Sequence, residues 1–288
     1  MSLFELREPV SAGSHGAWAL LAVPGTLLLW RRGVGDRGRQ LSLLVFGVSL
    51  VLCYSFSTLY HGACLSRDWI ARFDRLDHVG IFLLIAGSYT PLAWNLLRGL
   101  WRLVILTAAW LMAAAGSAIN LAVGVLPVPV ATALYLAMGW GAIICYLEIA
   151  RERSHRTLRP LLIGGALYSI GALLNVLRWP IVWPGVVEAH EVFHLFVMAG
   201  SLAHYGFMLS VVTPQPGRVE PARLGRRLWP AFDPILARIA AGGGSRWAAI
   251  WGLLPLNELG QGLGVRPGMS RLVPAPARDS APTHREYL

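Results

Sequence analysis

The sequence predicts an all-α integral membrane protein built as a seven-transmembrane-helix bundle, and three observations carry that reading. Only 14% of the 288 residues are charged while 55% are hydrophobic, and the mean hydropathy is +0.54. A soluble domain carries about 25% charged residues. Seven stretches are long and apolar enough to approach the roughly 20 residues that a helix needs to cross a bilayer. The segments between them are short and rich in Arg, Gly and Pro, and backbone groups in lipid must be bonded within each span, so the spans are helices.

In order, the expected spans are 14–30, 41–60, 78–97, 101–121, 128–149, 160–179 and 190–212. The first is short and can recruit residues from Ser11 onward. It follows an N-terminal segment, 1–13, that lacks a strongly basic start, and no A-x-A site comes after it, so it reads as a retained span, not a cleaved signal. RRGVGDRGRQ at 31–40 separates the first two spans, RGLWR at 98–102 the third and fourth, and RERSHRTLRP at 151–160 the fifth and sixth. The last span opens on HEVFH, His190 to His194. The spans make one domain, 14–212, and the character changes after it. Residues 213–288 form a basic tail whose 223–259 portion mixes Arg with Trp, Leu and Ile. It reads either as one or two amphipathic helices on the membrane surface or as a partly disordered segment.

All 25 basic residues are Arg, and the net charge is +10. These arginines lie in short loops and the tail, flanking apolar runs, which fits anionic lipid headgroups; no nucleic-acid module is visible. The implied partners are membrane lipids, with a lipid substrate or ligand, and no nucleic acid; the oligomeric state is not legible. The three cysteines, Cys53, Cys64 and Cys145, form no CxxC pair and suggest neither a disulfide framework nor a cysteine metal site.

Following the chain through seven crossings brings its most unusual polar residues to one membrane face. His61 ends the second span, Asp77 and His78 begin the third, His190 and His194 begin the seventh, and Glu8 and His15 precede or open the first. Ser57 sits one turn deeper than His61. Ionisable groups in spans are costly and point to function. His190 and His194, at i and i+4, project from one helix face at a spacing suited to one metal ion. His204 lies about 15 Å further along the axis and is too far to join them. His61 can supply the third ligand. Three histidines with an open fourth position describe a catalytic zinc. Ser57 and Asp77 would then position water or accept its proton. The plainer alternatives stand beside this: structurally packed histidines, Asp77 capping the third span, and a Ser57 hydroxyl bonded back to its own helix.

HEVFH also matches the H-E-x-x-H pattern of zinc proteases. The next Glu downstream, Glu220, is about 39 Å away along a continuous helix. Val197 stands where the longer form of the motif needs Gly. A protease is therefore disfavoured, and Glu191 is not expected to be a base.

Together, Ser57-Thr58-Leu59-Tyr60-His61, the run from Leu76-Asp77-His78 to Tyr89-Thr90-Pro91, His190 to Gly200, and the opening Glu8-Pro9-Val10-Ser11-Ala12-Gly13-Ser14-His15-Gly16 resemble the hemolysin III family. That family is the bacterial branch of the progestin and adipoQ receptor family. The resemblance covers residues 5–212 in order. It implies a seven-helix bundle with one zinc ion held by His61, His190 and His194, with Ser57 and Asp77 beside the metal. The wider superfamily includes alkaline ceramidases, and adiponectin receptors have been linked to ceramide hydrolysis. The resemblance therefore suggests a zinc-dependent hydrolase of a lipid or acyl-amide substrate. The alternatives are a zinc-stabilised sensor or receptor without turnover, or a pore-forming, cytolysin-like protein.

The expected location is a bacterial inner membrane, crossed many times. Arg7, Arg67, Arg72, Arg75 and Arg178 lie on the N-terminal face, whereas Arg31, Arg32, Arg37, Arg39, Arg98, Arg102, Arg151, Arg153, Arg156 and Arg159 lie opposite. The positive-inside rule places the C-terminus in the cytoplasm, although the adiponectin-receptor branch has the reverse orientation.

Overall fold

The computed structural model describes residues 6–213, which form eight α-helices making seven crossings of membrane length. These are α1 (Pro9–Arg32), α2 (Arg37–Gly62), α3 (Arg67–Leu96), α4 (Gly99–Ala122), α5 (Val128–Trp140) continued by α6 (Ala142–Ile149), α7 (His155–Leu177) and α8 (Ala189–Phe207). A π-helical turn over Met208–Val212 completes the last crossing. Among the described residues the one β feature is an isolated bridge between Trp183 and Val187, in the α7–α8 connection. The tail, from residue 214 on, lies outside the described residues.

Local chemistry sets the helix ends. Pro9 stands in the first turn of α1, where its missing N–H costs nothing. Asp36 accepts from the Arg39 N–H at 2.9 Å to start α2, and Ser154 does the same for Thr157 at 3.3 Å to start α7. Helix α3 departs most from the hydropathy reading, since it begins at Arg67, well before the apolar run at 78. The segment RDWIARFDRLD is too charged to register as a span but is sound helix-forming sequence, so the helix extends past the hydrocarbon. Asp77 therefore lies inside α3 and does not cap its start.

The fifth crossing is interrupted at Gly141. The Tyr89 hydroxyl from α3 enters there and donates to the Met138 carbonyl at 2.7 Å and more weakly to Gly139 at 3.4 Å. A Cβ at Gly141 would lie 3.0 Å from that oxygen, so glycine admits it. A broken helix is tolerated at membrane depth where another group takes its freed carbonyls.

Helices α1, α2, α3 and α4 pack in sequence, α7 packs on α8, and α8 returns to α1. Hydrogen bonds stitch that return: Trp18 Nε1 and the Tyr54 hydroxyl both donate to Ser201 Oγ, at 3.1 and 2.7 Å, and the Tyr205 hydroxyl donates to the Gly25 carbonyl at 2.9 Å. In bilayers such bonds contribute roughly 0.6–2 kcal/mol each. Trp110 and Trp140 likewise donate to the Thr90 and Ser169 hydroxyls, each at 3.1 Å. At Gly80 a Cβ would sit 2.9 Å from Cys53 Cα, too close to exist. That approach of α2 to α3 brings His61 beside Asp77.

Candidate metal centre

His61 is in the last turn of α2, and His190 and His194 are in the first turns of α8. All three converge at one face of the bundle, where one ring nitrogen from each lies within 4.8 Å of the others. His61 and His194 are buried and His190 is partly so. His61 Nε2 and His190 Nε2 are 3.3 Å apart. Nitrogens bound at about 2.0–2.1 Å to a tetrahedral zinc are separated by about 3.3–3.4 Å. His194 Nδ1 is buried with no hydrogen-bond partner among the described residues, and such orphaned groups call for an unseen water or ion. The donor set, three imidazoles without a thiolate, suits zinc and other divalent transition ions. The residues present therefore fit a metal ion.

Asp77 Oδ2 lies 3.9 Å from His61 Nε2, on the side where the triad converges. The Ser57 side chain lies by the Asp77 carboxyl, and both residues are buried. The structure thus brings all five sequence-selected residues, Ser57, His61, Asp77, His190 and His194, to one place. His204 is elsewhere, with its Nε2 3.3 Å from the Leu161 carbonyl, a bond across α7 and α8. His78 leans on the Asp74 carbonyl at 3.0 Å and lines the cavity described below.

Glu191 has a definite task, and it is not at the triad. One carboxylate oxygen accepts from the Glu188 backbone N–H at 2.9 Å, half of a capping box for α8. The other accepts from the Ser11 hydroxyl of α1, also at 2.9 Å. The glutamate of HEVFH starts its helix and fastens it to α1.

Four neighbours of the triad were not selected from sequence as part of it. Glu8 meets His61 Nδ1 through its carboxylate. Asn175 Oδ1, near the end of α7, lies 3.4 Å from His190 Nδ1. The His15 ring stacks on His194 at 3.7 Å between centroids, 11° from parallel, and Tyr54 stands edge-on to His15 at 5.0 Å. Asn175 carried one available signal, an amide inside an apolar span.

A cavity of about 1200 Å³ opens from the triad. It exceeds the roughly 300–1,000 Å³ usual for small-molecule sites. Its wall along α3 runs from Asp74 to Leu92, about 27 Å of helix. His61, Asp77, Ser57, His190 and His194 line it at the centre, and residues such as Ile85, Leu92, Ile143, Leu162 and Met208 line it further along the spans.

Seven apolar crossings around a histidine triad able to hold a metal ion define a polytopic membrane protein with its polar centre near one face. The chain belongs to the Haemolysin-III related family, whose profile matches residues 5–205. It is 31% identical over 217 residues to "Hemolysin-3" of Bacillus cereus, covering 74% of this chain and 95% of that protein. It is 30% identical over 206 residues to "Hemolysin-3 homolog" of Bacillus subtilis (strain 168), covering 70% and 93%. Similarity extends to "Adiponectin receptor protein" of Drosophila melanogaster, 28% identical over 186 residues, covering 56% of this chain and 41% of that one. That breadth is consistent with the wider progestin and adipoQ receptor family.

Proposed function

We propose that this protein is a zinc-dependent membrane hydrolase acting on a lipid or acyl-amide substrate, with His61, His190 and His194 as ligands. The observation that carries the reading is the continuity of the triad with a long, largely apolar cavity. A reactive centre at the head of a space that accepts an acyl chain suits a substrate entering from the bilayer. Zinc so held supplies a Lewis acid and an acidic bound water. Asp77 is placed to accept a proton at its carboxylate and to return it to a leaving amine. Ser57, beside the Asp77 carboxyl, would orient it. Both groups are buried. The apolar wall orients the acyl chain so that the scissile carbonyl meets the triad. In a bacterial inner membrane, the arginine distribution supports a C-terminus in the cytoplasm.

A receptor reading draws support from the receptor names of some relatives. It requires the same ion to stabilise without turnover.

The test is elemental analysis of detergent-purified protein followed by a lipid-amide hydrolysis screen. We expect about one zinc per chain, lost in each of His61→Ala, His190→Ala and His194→Ala. Asp77→Asn should keep the metal and lose turnover. Zinc-loaded protein inactive on every lipid amide would favour the receptor, and a folded wild type without metal would sink both.

A further inference from the structure

Glu8 flanks the start of α1, where an acidic side chain ordinarily caps the first turn. It makes no such bond. Its carboxylate is turned onto His61 Nδ1, and its backbone N–H donates to the His61 carbonyl at 3.0 Å. Arg7 Nε lies 3.1 Å from the other carboxylate oxygen as an ion pair, and the Arg7 guanidinium lies 4.5 Å above the Tyr60 ring. The residues just before α1 therefore clasp the last turn of α2 by backbone and side chain together.

The clasp has a consequence for protons. A carboxylate only accepts, so a neutral His61 carries its hydrogen on Nδ1. The acceptor facing His190 Nδ1 is the Asn175 amide oxygen, which places that ring's hydrogen on Nδ1 as well. Both Nε2 atoms then present bare lone pairs to each other at 3.3 Å. That arrangement is repulsive alone and favourable around a shared cation. His194 lacks a polar partner at Nδ1 and has instead the His15 ring stacked on its face. Neither His15 nitrogen makes a well-formed hydrogen bond among the described residues, so His15 acts here as a flat, rigid surface.

We propose that Glu8 is a positioning residue that fixes the tautomer and orientation of His61 for metal binding, with Asn175 doing the same for His190 and His15 bracing His194. The inference rests on the triad being a metal site. It adds the segment before α1, α1 itself and α7 to a centre whose proposed ligands come from α2 and α8 alone.

The test uses full-length, metal-stripped protein in detergent, titrated with Co²⁺ against a competing chelator and followed by visible absorption. Unfolding of the metal-free proteins is measured in parallel. We expect Glu8→Ala to weaken Co²⁺ binding about 10–100-fold, and Glu8→Gln, which keeps an acceptor but no charge, to fall between it and wild type. His15→Phe keeps the stacked ring and should retain affinity, whereas His15→Ala should lose about tenfold. Asn175→Leu should weaken binding as well. If Glu8→Ala does not yield folded protein, Glu8→Gln decides by the same criterion. Folded Glu8 variants at wild-type affinity overturn the proposal while leaving the metal site standing. A wild type that takes up no Co²⁺ overturns both.

Discussion

Glu191→Gln separates a seven-span metal centre from a zinc-protease helix. In a protease of the H-E-x-x-H type the glutamate is the base, and its amide kills turnover while the fold survives. Here the Glu191 carboxylate accepts two hydrogen bonds, from the Ser11 hydroxyl and the Glu188 N–H, each at 2.9 Å. Gln keeps one carbonyl oxygen for the Glu188 N–H and can turn its amide N–H to the Ser11 hydroxyl, which accepts as well as donates. The loss is the acceptor's charge, about 1–1.5 kcal/mol per bond if fully buried, and Glu191 is only partly buried. About 1–2 kcal/mol is the reasoned figure, part of it the helix cap. For a domain of this size that lowers the unfolding midpoint by about 2–4 °C per kcal/mol. Glu191→Ala, losing both bonds, should fall about twice as far. Zinc content and hydrolysis of any lipid amide found active should stay near wild type in Glu191→Gln. The assay pairs thermal unfolding in detergent with elemental analysis and turnover. A variant of unchanged midpoint whose turnover collapses would refute this placement of Glu191.

Two further substitutions probe the cavity and the broken span. Gly165 lines the cavity wall, and a Cβ there meets nothing within 4 Å. Gly165→Trp should therefore obstruct long-chain substrates, seen as a raised KM that shrinks for short-chain amides, while zinc content is unchanged. Tyr89→Phe removes the donor to the Met138 and Gly139 carbonyls, which should cost about 1–3 kcal/mol as a lower unfolding midpoint.

The spans were legible because lipid demands long apolar helices, and little else in the sequence imitates them. The start of α3 was not, because hydropathy registers the hydrocarbon and not the helix; Arg67 to Asp77 is helical yet charged. The break at Gly141 was hidden inside an uninterrupted apolar run, since what permits it is a hydroxyl from another helix. The triad was legible from one local spacing, His190 to His194, plus the parity of seven crossings that puts His61 on the same face. Its surroundings were less so. Glu8 reads in sequence either as packing the N-terminal segment over the site or as a helix-entry residue, and only the fold shows its carboxylate turned onto a histidine more than fifty positions away. Asn175 shows in sequence only as an amide inside an apolar span, and its place beside His190 appears when α7 lies against α8.

The same geometry explains why stability alone will not separate hydrolase from receptor. The three histidines come from α2 and α8, far apart along the chain, so an ion binding them would join early and late parts of the bundle. Any such ion stabilises the folded state by mass action, about 2.7 kcal/mol when present at 100 times its dissociation constant. That gain appears whether or not the ion also activates water. A metal-dependent rise in unfolding temperature therefore follows from both readings. The difference lies in the fourth position: in a hydrolase it exchanges water and admits substrate, while a closed structural site needs a fourth protein ligand. Among the described residues Asp77 is a polar candidate, with its Oδ2 3.9 Å from His61 Nε2. An Asp77 that ligates directly would make Asp77→Asn weaken zinc as severely as loss of a histidine. An Asp77 that serves water leaves the metal in place and removes turnover, which makes zinc content in that single variant the sharper discriminator.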